Sequence, residues 1–490
     1  MKPVSLLKEL SVVLLLILAS CATTLDETKA PDARVMLQNG LELYGQGEVV
    51  ESLAAFDEID EKYGNSTSVS VQEVVVEALA SKALPYGNMG QRMEVIDIAD
   101  EIDKRFSKFS SPKIQGQIAR ALRNKASTLE EMGNVSESIA VADEIIKRFT
   151  KDDQDETAVW VARSLYENGV RWGKEDNADN AFDEVDRRFG KRDHPATREW
   201  VCMSFLEKGR LLFRRSQKME QTLTILTDTA ERFESAKDSG TRACVLKIAI
   251  ERARILKEKH KDMALLVLDE MIDKYKDDDS ILVKRWVINA LFGKADVYYF
   301  HQYNQKTLSI YQEIDRDYGQ LDYPSLRELV ARSLHNQARM NVLMGKRLDA
   351  IKAYDELIRR YSGNDSSIIR PLVASSIFYK VLIYFDGVDN DRDKKEFYDA
   401  LAISTCRQLV NQFDGDKNEQ TRLFLVRAYE CIVDDLRQKE RYDEIIELID
   451  KAVQIYGKDG GNTSVVIHRI QRKRDCLVNN KGSEESLCRW

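Results

Sequence analysis

The chain has 490 residues, of which 32% are charged and only seven are proline, a composition typical of a long helical protein with a hydrated surface. This length is too great for one ordinary globular core, so we expect several packing units. The 74 basic and 82 acidic residues give a net charge of −8, and the repetitive part of the chain has no basic tract, which argues against nucleic-acid binding.

The first twenty residues have the pattern of an export signal. Lys2 and Lys8 precede the apolar run "LSVVLLLILAS", Leu10 to Ser20, which is too short to span a bilayer comfortably as a helix. A basic start followed by a short apolar run is typical of a cleaved signal peptide, predicted here over residues 1–20.

The apolar run ends in "LASC", Leu18 to Cys21, which resembles the lipobox of bacterial lipoproteins. The resemblance implies that Cys21 is lipidated and anchors the protein in a bacterial cell envelope through a short tether, residues 21–32. Ala22, rather than Asp, follows the cysteine, and by the family's rule in enterobacteria this favours the outer membrane, facing the periplasm. The alternative is a soluble secreted protein cut near Ala19 to Ala22.

The rest of the chain repeats one unit about ten times. A closing aromatic residue recurs at spacings of 43, 43, 40, 44, 42, 43, 43, 52 and 43 residues. The ten aromatic positions are Tyr63, Phe106, Phe149, Phe189, Phe233, Tyr275, Tyr318, Tyr361, Phe413 and Tyr456. A fixed period of this size predicts an array of small supersecondary units that stack on their neighbours.

Each unit has the pattern of a helical hairpin. Sixteen residues before the aromatic, five copies have glycine, which predicts a tight turn between two helices. Eleven residues before it, six copies have Ser or Ala, which lets a neighbouring helix approach closely. The glycines are Gly47, Gly90, Gly133, Gly173 and Gly345, and the small residues are Ser52, Ser138, Ala178, Ala264, Ala350 and Ala402. We call the two helices of a unit A and B.

This pattern resembles the tetratricopeptide repeat (TPR). The copy "SLHNQARMNVLMGKRLDAIKAYDELIRRYSG" has the family's order of large, small, Gly, Ala and aromatic residues at Leu334, Ala338, Gly345, Ala350 and Tyr354. The resemblance implies an all-α fold, an α-solenoid of about ten TPR-like hairpins over residues 33–460. Residues 461–476 are expected to form a C-terminal capping helix, followed by a tail, residues 477–490. The period is near 43 instead of 34, and the family's closing proline is missing.

The recurring "DE" and basic residues near the end of helix B predict ion pairs within that helix. Glu precedes a base by four residues, the favourable order, and each such pair contributes about 0.2–0.5 kcal/mol. The pairs are Glu58–Lys62, Glu101–Arg105, Glu144–Arg148, Glu184–Arg188, Glu270–Lys274 and Glu356–Arg360.

No metal, cofactor or catalytic site is predicted. The five histidines have no ligand spacing, and the loop at 389–396 lacks the Gly and Glu of a calcium loop. Cys202 and Cys244 stand at the same position of two successive units. Equivalent helices of successive units should lie about 8–10 Å apart, which predicts that the two cysteines are too far apart for a disulfide. Cys476 and Cys488 could pair in an oxidising compartment.

The candidate binding residues lie on helix A. In TPR proteins the exposed side of helix A lines a groove that holds peptides or helices, and Arg and aromatic residues are the types that anchor partners. The positions carried over are Arg120, Arg123, Trp160, Arg163, Asn289, Phe292, Asp296, Tyr299, Arg332, His335 and Arg339.

The sequence therefore predicts a non-catalytic interaction scaffold or adaptor, anchored by lipid in a bacterial envelope, whose partner is a protein or peptide. The alternative is an outer-membrane lipoprotein that captures glycans or other ligands on TPR helices. Such proteins tend to have large insertions rich in aromatic residues, whereas this chain is 8% aromatic with one short insertion.

Overall fold

The computed structural model describes residues 29–149, 154–173, 176–387 and 394–479. The predicted signal peptide, the lipidation site Cys21 and most of the tether lie outside these residues. So do Cys488 and most of the loop considered as a calcium site. The chain divides into two compact units, Met1–Ile248 and Ala249–Trp490, which we describe separately.

The described part of the first unit consists of consecutive helices. They are α1 (Ala30–Gln46), α2 (Val49–Tyr63), α3 (Val69–Ser81), α4 (Ala83–Asn88), α5 (Arg92–Phe106), α6 (Pro112–Glu131), α7 (Val135–Arg148), α8 (Asp155–Trp172), α9 (Asp176–Phe189), α10 (Pro195–Ser216), α11 (Met219–Arg232) and the first part of α12 (Ser239–Leu256).

The second unit begins within α12. Its further helices are α13 (Lys261–Tyr275), α14 (Ile281–Phe300), α15 (Asn304–Tyr318), α16 (Pro324–Leu343), α17 (Arg347–Tyr361), α18 (Ile369–Phe385), α19 (Lys395–Phe413), α20 (Glu419–Gln438), α21 (Tyr442–Tyr456) and α22 (Gly461–Asn479).

Within each unit the helices form antiparallel hairpins that pack in chain order. Helix A of one hairpin contacts helix A of the next, as α6 does with α8 and α16 with α18. Helix B lies between its own helix A and the following one. The predicted all-α array of about ten TPR-like hairpins is confirmed.

The repeating residues have the positions that their types predict. All ten closing aromatics are buried, with at most 7% of any side chain exposed. The five turn glycines have φ between 54° and 89°, where a side chain would be strained. At the equivalent position of three other hairpins, Gln217, Gln302 and Glu440 adopt positive φ as well. The turn geometry is therefore kept even without glycine.

The small residues of helix B are fully buried between helices. Ser52, Ser138, Ala178, Ala264, Ala350 and Ala402 are each fully buried, at 0% exposure. A larger side chain at these positions would push helix B away from its neighbour, at a cost of about 1–3 kcal/mol.

The prediction that Cys202 and Cys244 are too far apart was wrong. They form a disulfide between α10 and α12, with their Cα atoms 6.3 Å apart. The prediction used the distance between helix axes. Cα atoms on the facing sides of two helices each lie about 2.3 Å closer to the partner helix than the axis does, so the distance between them is short enough for a disulfide. A second disulfide joins Cys406 of α19 to Cys431 of α20.

Candidate functional site

The eleven predicted binding residues all lie on A helices and fall into two groups. Four belong to the first unit, on α6 and α8, and seven belong to the second unit, on α14 and α16. The two groups differ in whether their charged side chains are paired within the fold.

In the first unit, three guanidinium groups converge on one largely buried carboxylate. Arg123 donates to Glu167 at 2.7 Å and Arg163 donates to it at 2.8 Å. Arg171 lies 3.8 Å from Glu167 and also pairs with Glu130 at 2.8 Å. Arg123 and Glu167 are only 17% and 16% exposed. These arginines are therefore bound within the fold.

The electrostatics agree with this geometry. Burial raises the pKa of Glu167, but the hydrogen bonds and charges of Arg123 and Arg163 outweigh it, so its pKa lies below the ordinary value. Burial lowers the pKa of Arg163, whose guanidinium lies 5.0 Å from the centre of the Trp200 ring. The cluster has three arginines and two glutamates, and Glu167 and Trp200 were not among the predicted residues.

Arg120 and Trp160 complete the first group. Arg120 makes one long hydrogen bond, 3.3 Å, to Gln117 of its own helix. Burial lowers the pKa of Arg120, and the nearby carboxylate of Glu77 opposes that effect. Trp160 lies half-buried on α8. A role in partner binding stays a prediction for all four residues.

In the second unit, Arg332 stacks on an aromatic ring instead of pairing with an acid. Its guanidinium carbon lies 4.0 Å from the centre of the Phe292 ring, and Phe292 packs in turn against Tyr311. Within the described part of the chain, neither Arg332 nor the exposed Arg339 makes a hydrogen bond or ion pair. Their donors are available to a partner.

Three other predicted residues of this group differ in availability. Tyr299 is 49% exposed. Asp296 forms an ion pair with Lys257 at 2.6 Å, and Asn289 donates to the backbone of Arg285 in its own helix. Tyr299 is thus free to contact a partner, whereas the carboxylate of Asp296 and the side-chain N–H of Asn289 are already bound.

His335 is buried at the base of a surface pocket. Its Nδ1 lies 3.2 Å from Ser376 Oγ, and its ring packs on Tyr354 and Tyr379. Burial lowers the pKa of His335 to about 4, with a smaller effect from the positive charge of Arg339. The imidazole is therefore neutral at neutral pH.

The pocket above His335 has a volume of about 660 Å³ and extends beyond the predicted residues. It lies among α16, α18 and α20 and includes Leu372, Tyr379 and Phe424. An insertion lengthens one spacing between closing aromatics to 52 residues. The residues of α18 therefore do not fall at the positions found by counting back from the closing aromatic. Counting forward from the start of α18 would have revealed its pocket residues.

Some kinds of site are not found within the described ranges. No described helix combines the length and the hydrophobicity needed to cross a bilayer. No group of His, Cys, Asp or Glu in the described segments has an arrangement that could hold a metal ion.

Comparisons with known proteins give structural likeness only. No protein-family model matches the chain, and no curated protein matches it. Among solved structures, apo RapI is 10% identical with a TM-score of 0.41, covering 74% of this chain and 99% of its own. A tetratricopeptide repeat protein from Parabacteroides merdae is 11% identical with a TM-score of 0.33, covering 70% and 98%. Yeast Tom70 is 11% identical with a TM-score of 0.30, covering 93% and 98%.

Proposed function

We propose that this protein is a non-catalytic scaffold that binds a protein or peptide partner, anchored by lipid at Cys21 in the outer membrane of a bacterial envelope and facing the periplasm. The observation that carries the binding role is the A-helix surface of the second unit. There Arg332 and Arg339 lack acid partners among the described residues, and the ring of Tyr299 is 49% exposed. Cations and rings of this kind anchor protein partners.

The two disulfides support the proposed compartment. Cys202, Cys244 and Cys406 are fully buried, and Cys431, the partner of Cys406, is half-buried. Such bonds persist in oxidising compartments such as the periplasm and are rare in the reducing cytosol. An exported protein is consistent with both pairs.

The absence of catalysis is proposed because the perturbed groups are held by structural partners. Glu167 is surrounded by arginines, and His335 is bound to Ser376 and packed between tyrosine rings. The Ser376 hydroxyl lies beside the His335 base, but it is fully buried and donates to the backbone carbonyl of Leu372 at 2.7 Å, so it is not placed to attack a substrate.

The anchor is tested by replacing Cys21 with serine. The hydroxyl is a much weaker nucleophile than the thiolate, so we expect Cys21→Ser to lose labelling by fatty acid and to leave the membrane fraction. Unchanged labelling would overturn the lipid anchor and leave the binding role untouched.

The binding role is tested by photocrosslinking in native membranes. A crosslinking amino acid at Tyr299 should capture a discrete protein, whereas one at Lys352, 78% exposed on the B helix α17, should not. Equal capture at both positions, or none at Tyr299, would contradict the assignment of the A-helix surface.

A further inference from the structure

We propose that a groove between α18 and α20 binds a peptide segment that carries carboxylates beside apolar side chains. This inference rests on the proposed function, because it names the partner chemistry of a scaffold. It is carried by two adjoining pockets, an exposed apolar stripe and two unpaired arginines.

The two pockets share α18 and α20 as their walls. The first, described above, has a volume of about 660 Å³ and is closed by α16. The second, about 480 Å³, is closed by α22 and is lined by Leu382 and Phe385 of α18 and by Arg427 of α20. Together they extend from Ile368, the residue before α18, to Phe385 at its end. At 1.5 Å per residue this stretch is about 25 Å long, enough for several side chains of a bound peptide.

The side of α18 that faces the groove is apolar and partly uncovered. Ile368, Leu382 and Phe385 are 55%, 46% and 43% exposed. Leu372 and Tyr379 lie between them in sequence, half-buried. This helical spacing of large apolar residues is the pattern of a buried face, so we infer that a partner covers it.

Aromatic rings join the two pockets. Phe424 of α20 lies 5.8 Å from Phe378 and 6.1 Å from Tyr379, measured between ring centres. Phe424 and Tyr379 line the first pocket, and Phe378 lines the second. The groove therefore has a continuous rigid base against which apolar side chains can pack.

Each pocket has one arginine without an acid partner. Arg332 lines the first pocket and stacks on Phe292, and Arg427 lines the second, 5.9 Å from the centre of the Phe378 ring. Neither makes a hydrogen bond or ion pair with a described residue. Stacking orients a guanidinium and leaves its N–H groups free, and a carboxylate accepts two of them at once.

The acids that line the groove do not cancel these charges. Glu430 pairs with Arg469 at 2.6 Å, and Asp434 pairs with Lys473 at 2.7 Å. Glu419, exposed in the first turn of α20, is the one lining acid without such a pair among the described residues. The unpaired charge is thus positive in a chain whose net charge is −8. An acidic partner is favoured over a basic one.

The test is selection from a randomised peptide library displayed on phage, with the full mature chain as the target. We expect peptides enriched in Asp and Glu next to Leu, Ile or Phe. A selected peptide should bind the Arg332→Ala/Arg427→Ala variant at least tenfold more weakly, measured by fluorescence anisotropy. The matched control, Lys352→Ala/Arg359→Ala, removes two exposed charges from α17 and should bind as the parent does.

A second variant tests the apolar part independently of charge. Leu382→Ser keeps the helix but removes an exposed apolar side chain, and we expect at least fivefold weaker binding. Circular dichroism checks that each variant remains folded. An enriched pool without acidic residues, equal binding by the arginine variant, or no enrichment at all would overturn the groove. If a partner is still crosslinked at Tyr299 after such a result, the groove is wrong and the scaffold function is not contradicted.

Discussion

Arg360 of α17 joins two successive hairpins, because its Nη1 lies 2.6 Å from Asp315 Oδ1 on α15. Its Nε also donates to Glu356 on its own helix at 2.6 Å. The same contact with the preceding B helix recurs as Arg105–Asp60, Arg148–Asp103 and Arg232–Asp186. The repeated basic residue therefore fixes the packing between hairpins as well as helix B itself.

The Arg360–Asp315 contact should be measurable as a coupling energy. Both side chains are about one-fifth exposed, at 20% and 22%, so solvent screens the pair only in part. We expect a double-mutant cycle of Arg360→Ala and Asp315→Ala to give about 0.5–1 kcal/mol, from hydrogen exchange of α15 and α17. The cycle for Lys352 and Asp349, 78% and 54% exposed, should give nearly zero. Equal couplings would show that burial is not what strengthens the first pair.

The arginine cluster on α6 and α8 should depend on its one shared carboxylate. Glu167→Gln leaves the charges of Arg123 and Arg163 without their counter-ion, and we expect a loss of about 3–5 kcal/mol in the local stability of α6 and α8. Glu130→Gln is the control, because Glu130 is 45% exposed, and it should cost under about 1 kcal/mol. Hydrogen exchange of α6 and α8 at increasing urea concentrations measures the loss in both variants. A similar cost for the two variants would contradict the structural role of Glu167.

The Cys202–Cys244 disulfide should stabilise the first unit. It closes a loop with a sequence separation of 42 residues, for which restriction of the unfolded chain is worth about 4 kcal/mol. We expect reductant to lower the unfolding midpoint of the parent protein in guanidinium chloride. Reductant should cause a smaller change in the Cys202→Ser/Cys244→Ser variant, which keeps Cys406–Cys431. Free thiols at Cys202 and Cys244 in the unreduced mature protein would refute the bond.

Local stability near His335 should fall in acid. The pKa of His335 is about 4 in the folded chain and 6.5 ordinarily, so folding favours the neutral imidazole. The stabilisation is fully present above pH 6.5 and is lost as the pH falls towards 4, by up to about 3 kcal/mol. NMR titration gives the pKa, and hydrogen exchange of α16 gives the stability. His335→Gln should remove this pH dependence and His260→Gln, at an exposed site, should not.

Truncation of a core residue should act locally. Leu291 of α14 is 1% exposed, and Leu291→Ala should cost about 2–5 kcal/mol. Each hairpin contacts mainly its neighbours, so loss of protection should spread outward from α14. Leu343→Ala, at a 58% exposed site, is the control and should change stability by less than about 0.5 kcal/mol. Equal loss of protection in every hairpin would indicate one cooperative core.

The sequence predicted the hairpin well because its signals are local. The closing aromatics, the turn glycines and the small residues of helix B are recognisable by spacing within one unit, and all have the expected burial or backbone angle. Of the six predicted ion pairs, those of Arg105, Arg148, Arg188 and Arg360 with their helical Glu are present.

Contacts between hairpins could not be predicted in the same way. The distance between Cys202 and Cys244 depends on which sides of two helices face each other, and periodicity does not give that angle. The pairing of Arg123 and Arg163 through Glu167 likewise depends on how α6 packs on α8. The charges of these residues were visible in sequence, but their pairing through one carboxylate was not.

The "DE" motif of helix B has one further consequence. In several copies its Asp accepts from a Lys 25 residues later, in or directly after the next helix A, as in Lys82–Asp57, Lys125–Asp100, Lys208–Asp183 and Lys380–Asp355. Asp143 accepts instead from Asn168, at the same separation. In each Asp–Lys contact, the Lys in or directly after helix A pairs with the preceding hairpin, and the Asp on helix B pairs with the following one. Where the partner is Lys, duplication or deletion of a whole hairpin would therefore recreate the same Asp–Lys contact at the new junction. This contact between hairpins therefore does not by itself limit how many hairpins the array contains.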